Sequence, residues 1–312
     1  MARFDLHKTG DQNTLHDHVV PEKGKVMSKN FILGVGCQKG GTTWLHSQLI
    51  KSQHADMGFR KEYHVLDTRY IPAHRPFLNR LLTRITPLPE DLEGLSEKRQ
   101  QLKLLSFHAD INNYYDYFDH LWYRGGADIT AVGDITPSYS GLPIEALKTV
   151  KSELKARGFT IKIIYLMRDP IERCWSALRM RRKARLQQKE AMLPSEEDHL
   201  EYVFSTKEFA DRTRYESTVS NLDSVFDQNE IFYCLYERLF DEKTLKNLKS
   251  FLELPDLEPD TSFRINTSEK SKTLRHLDNE LASKIFHYYK DTYEYCEKRF
   301  GTRDLWSGWE HS

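Results

Sequence analysis

No apolar run in the sequence approaches the ~18 residues of a membrane span, so no transmembrane helix is expected. The N-terminal stretch carries Asp5, His7, Lys8, Asp11 and His16 ahead of any apolar segment and lacks the hydrophobic region of a secretory signal. The expected location is cytoplasmic. Charge of neither sign dominates: 46 Lys and Arg balance 46 Asp and Glu, which removes the electrostatic case for nucleic acid or a membrane surface as partner. Cysteine is scarce and scattered. Cys37, Cys174, Cys234 and Cys296 form no C-x-x-C pair, so neither a zinc site nor a disulfide framework is indicated and reduced thiols are expected. Internal repeats and low-complexity segments are also missing.

What is present is enough chain, 312 residues with 39% hydrophobic content, for one large α/β domain or two small ones. Residues 1–28 read as a polar lead-in and 29–312 as a single domain. Pro72, Pro76, Pro87 and Pro89 break the pattern inside a helical insertion near 70–125. The aromatic-rich helix from Asn113 to Tyr123 in that insertion reads as core rather than as a binding face.

The chain is organised around Phe31–Gly36, a short apolar run that feeds into Cys37-Gln38-Lys39-Gly40-Gly41-Thr42-Thr43-Trp44. The pattern predicts a buried strand, a turn, and a helix from Thr42. Glycines let backbone N–H groups turn inward, and a helix N-terminus adds partial positive charge, so such a turn can hold an anion. A glycine-rich strand-to-helix turn without a ligand is the competing reading. The NTPase pattern G-x-x-x-x-G-K-[ST] needs lysine directly after Gly41, where Thr42 stands instead. Lys39, three residues earlier, is suited to a bridging oxygen beside the first phosphate.

Further strands are expected at Ile129–Asp134, Ile161–Met167 and Ile231–Tyr236, with helices at 143–157, in two segments of 195–228, and at 239–252. This alternation predicts βαβ units and an α/β fold, a mostly parallel central sheet flanked by helices. The clearest strand ends in Arg168-Asp169-Pro170, where Asp169 can cap the next helix and Pro170 suits its first turn. Arg173 and Ser176 follow at i, i+3 spacing on one helical face. An arginine fork with a hydroxyl suits a second phosphate; alternatively Arg168 makes an ion pair and Ser176 is an ordinary helix serine. A third group, Glu62, His64 and Asp67, lies in a stretch read as short strand and loop, where Glu62 and His64 share a side. These residues could form a proton-accepting cluster, a metal cluster, or surface polarity. Arg179, Arg181, Arg182, Lys183 and Arg185 read mainly as a solvated basic face.

Lys39-Gly40-Gly41-Thr42-Thr43 after a hydrophobic strand resembles the 5′-phosphosulfate loop of sulfotransferases that use 3′-phosphoadenosine 5′-phosphosulfate (PAPS). Arg168-Asp169-Pro170-x-x-Arg173-x-x-Ser176 resembles their 3′-phosphate motif, R-D-P-x-x-R-x-x-S, at every fixed position. Lys61-Glu62-x-His64-x-x-Asp67 is similar to the K-E-x-H-F-F-D segment of heparan sulfate glucosaminyl 3-O-sulfotransferases, and Gly133-Asp134-Ile135-Thr136-Pro137-Ser138-Tyr139 to their G-E-K-T-P-S-Y. Ile135 stands where that family has a substrate-contacting lysine.

The resemblance covers most of residues 30–180. It implies a P-loop-NTPase-like sulfotransferase fold and transfer of a sulfuryl group from PAPS to an acceptor hydroxyl, leaving adenosine 3′,5′-bisphosphate, with no metal required. Lys39, Gly40, Gly41, Thr42, Thr43, Trp44, Arg168, Ser176 and Lys270 would contact the donor. Lys39, Glu62, His64 and Asp67 would be catalytic, with Glu62 as base. Lys61, Thr136, Ser138 and Tyr139 would contact the acceptor, a saccharide, lipid or small metabolite. The alternatives are a P-loop nucleotide kinase or NTPase, which the second phosphate motif disfavours because ATP has no 3′-phosphate, and a catalytically silent PAPS-binding module.

Overall fold

Five strands form the sheet: β1 (Asn30–Gly36), β2 (Ala55–Asp56), β3 (Ala131–Ile135), β4 (Thr160–Met167) and β5 (Ile231–Leu235). They run parallel in the order β2-β3-β1-β4-β5, with Phe31 opposite Val132 on one side and Ile161 on the other. The computed structural model describes residues 28–85, 92–187, 194–261 and 277–312.

Period-two alternation along β1 and β4 explains why both faces are covered. Phe31, Leu33 and Val35, with Ile161, Ile163, Tyr165 and Met167, enter the larger core. Ile32, Ile164 and Leu166 enter the smaller one. The helices are α1 (Thr42–Leu49), α2 (Val65–Tyr70), α3 (Pro76–Ile85), α4 (Leu92–Ala109), α5 (Ile111–Arg124), α6 (Ile144–Ala156), α7 (Pro170–Gln187), α8 (Glu196–Val203), α9 (Lys207–Ala210), α10 (Tyr215–Val225), α11 (Glu242–Leu252), α12 (Asn279–Tyr288) and α13 (Lys290–Phe300). Leu45 and Leu49 of α1 and Leu248 and Leu252 of α11 cover the smaller face, while residues of α5, α6, α7, α10, α12 and α13 close the larger. The aromatic helix α5 is core as expected: Tyr114 and Phe118 are fully buried.

Three local expectations are corrected. The strand read between Phe59 and Asp67 is a loop running into α2, and the edge strand is the two-residue β2 just before it. Segment 195–228 holds three helices rather than two, and the helix expected from Leu239 begins at Glu242 after a short turn. The four cysteines are buried free thiols. No helix among the described residues is long and apolar enough to cross a membrane. The polar lead-in up to residue 27, and Lys270 with its loop, lie outside the described residues.

Connectivity places the motifs. In the sheet β1 is flanked by β3 and β4, so the chain leaves adjacent strands on the same carboxyl edge at Cys37, Thr136 and Arg168. Parallel sheets bind ligands at that edge, where successive connections diverge.

Candidate active site

The turn after β1 is shaped by its backbone. Gly41, the residue before α1, has φ of 101°, and a Cβ there would stand 2.7 Å from Leu239 Cδ2. A side chain at Gly40 would meet Cys37 Sγ at 2.8 Å. Lys39 itself takes φ of 74°, an uncommon conformation for a residue with a side chain and one that clusters at functional sites. No side chain caps α1, so its first N–H groups face the cleft without an intrahelical partner.

That cleft is lined by Lys39, Thr42 and Thr43 from the turn, by Glu62 and His64 from the loop before α2, and by Arg168 and Ser176 from the β4–α7 connection. The Lys39 ammonium and the hydroxyls of Thr42, Thr43 and Ser176 have no hydrogen-bond partner among the described residues. Burial, with the nearby charges of Arg168 and Lys61, lowers the Lys39 pKa. Arg168 lies over the Tyr236 ring, 4.8 Å from its centroid, and its Nη2 is 2.8 Å from Glu172. Cations, free hydroxyls and open helix N–H groups together make a donor set suited to anionic groups.

Opposite these groups stands an ionised network. Asp67, 1% exposed, accepts from His64 Nδ1 at 2.8 Å, His74 Nδ1 at 3.0 Å and Ser138 Oγ at 2.5 Å. His64 presents Nε2 3.4 Å from Glu62, whose other carboxylate oxygen is paired with Lys61. Burial alone would lower the His64 pKa, but its hydrogen bonds to Asp67 and Glu62 outweigh it and raise it to about 9. Burial likewise pushes Glu62 up, yet His64 and Lys61 together hold it down to about 2. Asp67 and Glu62 thus favour the protonated form of His64 at neutral pH. Glu62 is held in its ionised form first by His64 and then by Lys61. Among the described residues no group of three or more His, Cys, Asp or Glu side chains is placed to hold a metal ion.

No family model matches the chain, and no curated protein does. Solved structures do. A sulfotransferase from Alicyclobacillus acidocaldarius superposes with a TM-score of 0.53 at 20% identity, over 88% of this chain and 96% of that one. The two chains share this α/β fold of a five-stranded parallel sheet flanked by helices. A sulfotransferase domain from the Synechococcus PCC 7002 olefin synthase aligns over 89% of this chain and 96% of its own length, at 17% identity and a TM-score of 0.46.

Within this fold the sequence-derived residues divide. Lys39, Gly41, Thr42, Thr43, Trp44, Lys61, Glu62, His64, Ser138, Arg168 and Ser176 line one cleft. Trp44 is 2% exposed and sends Nε1 to the Asp260 carbonyl at 2.9 Å, so it is largely core. Thr136 and Tyr139 do not reach the cleft. Both donate to the buried Asp134 carboxylate, at 2.6 and 2.7 Å. From there they brace the loop, because Tyr63 N donates to Thr136 Oγ1. Arg173 does not join Ser176 at the ligand edge: it is fully buried, against Cys174 Sγ at 3.3 Å and the Phe209 ring. Asp169 caps α7 as expected, accepting from Ile171 N at 2.9 Å. In the basic stretch, Arg181 pairs with Glu208, and Arg182 lies 3.8 Å from Glu196.

Sequence reasoning missed His74, Arg212 and the C-terminal turn. Arg212 bonds Gln38 at 3.2 Å and Glu208 at 3.1 Å. It lines both the cleft and a neighbouring cavity of about 740 Å³, which also shares His64 and Ser138. Ile71, Pro76 and Phe77 line that cavity together with Arg80, Lys207, Asp211, Arg214, Ser217 and Asn221.

Proposed function

We propose that this protein transfers a sulfuryl group from PAPS to a hydroxyl on an acceptor held in the 740 Å³ cavity. The observation that carries the reading is one cleft lined by Lys39, Thr42 and Thr43, by Arg168 and Ser176, and by Glu62. PAPS supplies the activated sulfuryl group. The α1 N-terminus and the two threonines hold the 5′-phosphate. Arg168 and Ser176 hold the 3′-phosphate, and Lys39 puts its ammonium where charge develops on the bridging oxygen. Glu62 takes the acceptor proton, and His64 and Asp67 orient it. Alignment of groups and electrostatic stabilisation carry such transfers, as in phosphoryl transfer.

The likeness of Lys61–Asp67 and Gly133–Tyr139 to glucosaminyl 3-O-sulfotransferases supports a saccharide among the acceptor classes. The mixed lining of the cavity, apolar side chains among hydroxyl, amide, carboxylate and cationic groups such as Arg80, Lys207 and Arg214, supports a compact polar acceptor over an extended lipid chain. The test is an assay with PAPS across glycosides, phenols and long-chain alcohols, read as adenosine 3′,5′-bisphosphate release and a mass gain of one sulfonate. Transfer to glycosides supports the reading; no transfer to any hydroxyl class overturns it.

A further inference from the structure

The guanidinium assigned to the 3′-phosphate already holds an anion. Arg168 Nη2 lies 2.8 Å from Oε2 of Glu172, four residues on in α7, with the two side chains 18% and 17% exposed. Its remaining contacts are weaker: the Tyr236 ring and a 3.5 Å approach of Nη1 to the Lys39 carbonyl. Ser176, one turn beyond Glu172, lines the same cleft with its hydroxyl unpartnered among the described residues. The slot thus holds a fork and a free hydroxyl, and Glu172, from the same helix as that hydroxyl but not itself lining the cleft, is paired with the fork.

We infer that Glu172 is a specificity-determining residue of this slot, an internal competitor that a nucleotide 3′-phosphate must displace from Arg168. The inference rests on the assignment of Arg168 and Ser176 to that phosphate. A phosphate offers more charge and more acceptor oxygens than one carboxylate, so it wins the exchange, but only by the difference between the two pairings. Two consequences follow. A nucleotide with a bare 3′-hydroxyl brings no charge with which to displace Glu172 and gains little from Arg168. A nucleotide that carries the phosphate binds less tightly than the fork alone would allow, and Glu172 recaptures Arg168 as the product leaves.

The experiment is calorimetric titration of wild type, Glu172→Gln and Glu172→Ala with adenosine 3′,5′-bisphosphate and with adenosine 5′-phosphate, with thermal melts to check folding. Removing the competing charge should tighten the bisphosphate by roughly three- to tenfold in both variants, slow its dissociation, and leave adenosine 5′-phosphate within about twofold. Weaker or unchanged bisphosphate binding in folded variants would overturn the inference, because Glu172 would then be positioning Arg168 rather than competing for it. Equal affinity of wild type for the two nucleotides would instead overturn the underlying assignment of the slot to a 3′-phosphate.

Discussion

His64 Nδ1 lies 2.8 Å from Asp67 Oδ2, and this contact fixes the charge of the imidazole facing Glu62. Histidine titration by NMR should find His64 near 9. In Asp67→Asn it should fall toward the ordinary value of about 6.5. The raised pKa belongs to the folded state, so the His64 contribution to stability is complete below about 6.5 and is lost as pH rises through about 9. The stability gap between wild type and Asp67→Asn should narrow over that window in urea unfolding.

Glu62→Gln keeps the side-chain shape and removes the carboxylate proposed as proton acceptor. Turnover should fall by roughly 10²–10⁴-fold with adenosine 3′,5′-bisphosphate affinity close to wild type. Lys61→Met should move the Glu62 carboxyl upward from about 2, read by carbon-13 titration, because one of its two cationic partners is gone. A Glu62 titration unchanged in Lys61→Met would remove Lys61 from control of the base.

Lys39→Ala should fold normally, since the Lys39 side chain makes no hydrogen bond or ion pair among the described residues. Turnover should drop by roughly two orders of magnitude or more through lost charge stabilisation. A circular-dichroism melt alongside a transfer assay separates the two effects.

The sheet was legible because β1 and β4 are buried on both faces and read as short apolar runs. The turns at residues 39–43 and at Arg168 were legible as strand-to-helix connections because each is contiguous at a strand end. Segment 65–70 was not. Val65, Thr68 and Tyr70 have strand-like preferences, and the helix is set by His64, whose φ of 57° no pattern signals. Thr136, Tyr139 and Arg173 were assigned from motifs, yet packing turns them inward toward Asp134 and Cys174. Arg212 gives no signal in sequence, since beside Glu208 it looks like an ordinary i, i+4 helix pair. His74 meets Asp67 only because the chain doubles back after α2.

The C-terminal turn should matter to both stability and binding. Trp306 is 1% exposed and donates to Glu237 at 3.0 Å, and Gly308 N donates to Asp169 at 2.7 Å, beside Arg168. Trp306→Ala should cost about 3–5 kcal/mol in urea unfolding and weaken adenosine 3′,5′-bisphosphate by loosening the β4–α7 connection. A loss of stability with unchanged nucleotide affinity would confine the turn to packing.

The measurement that bears most directly on the two-phosphate cleft is calorimetric binding of adenosine 3′,5′-bisphosphate, adenosine 5′-phosphate and ATP to wild type, Arg168→Ala and Ser176→Ala. Wild type should bind the bisphosphate most tightly. Each substitution should weaken the bisphosphate by about 1.5–3 kcal/mol, the scale of a charged hydrogen bond, while leaving adenosine 5′-phosphate nearly unchanged. Tighter binding of ATP by wild type, or equal losses for both adenosine phosphates in the variants, would contradict the account.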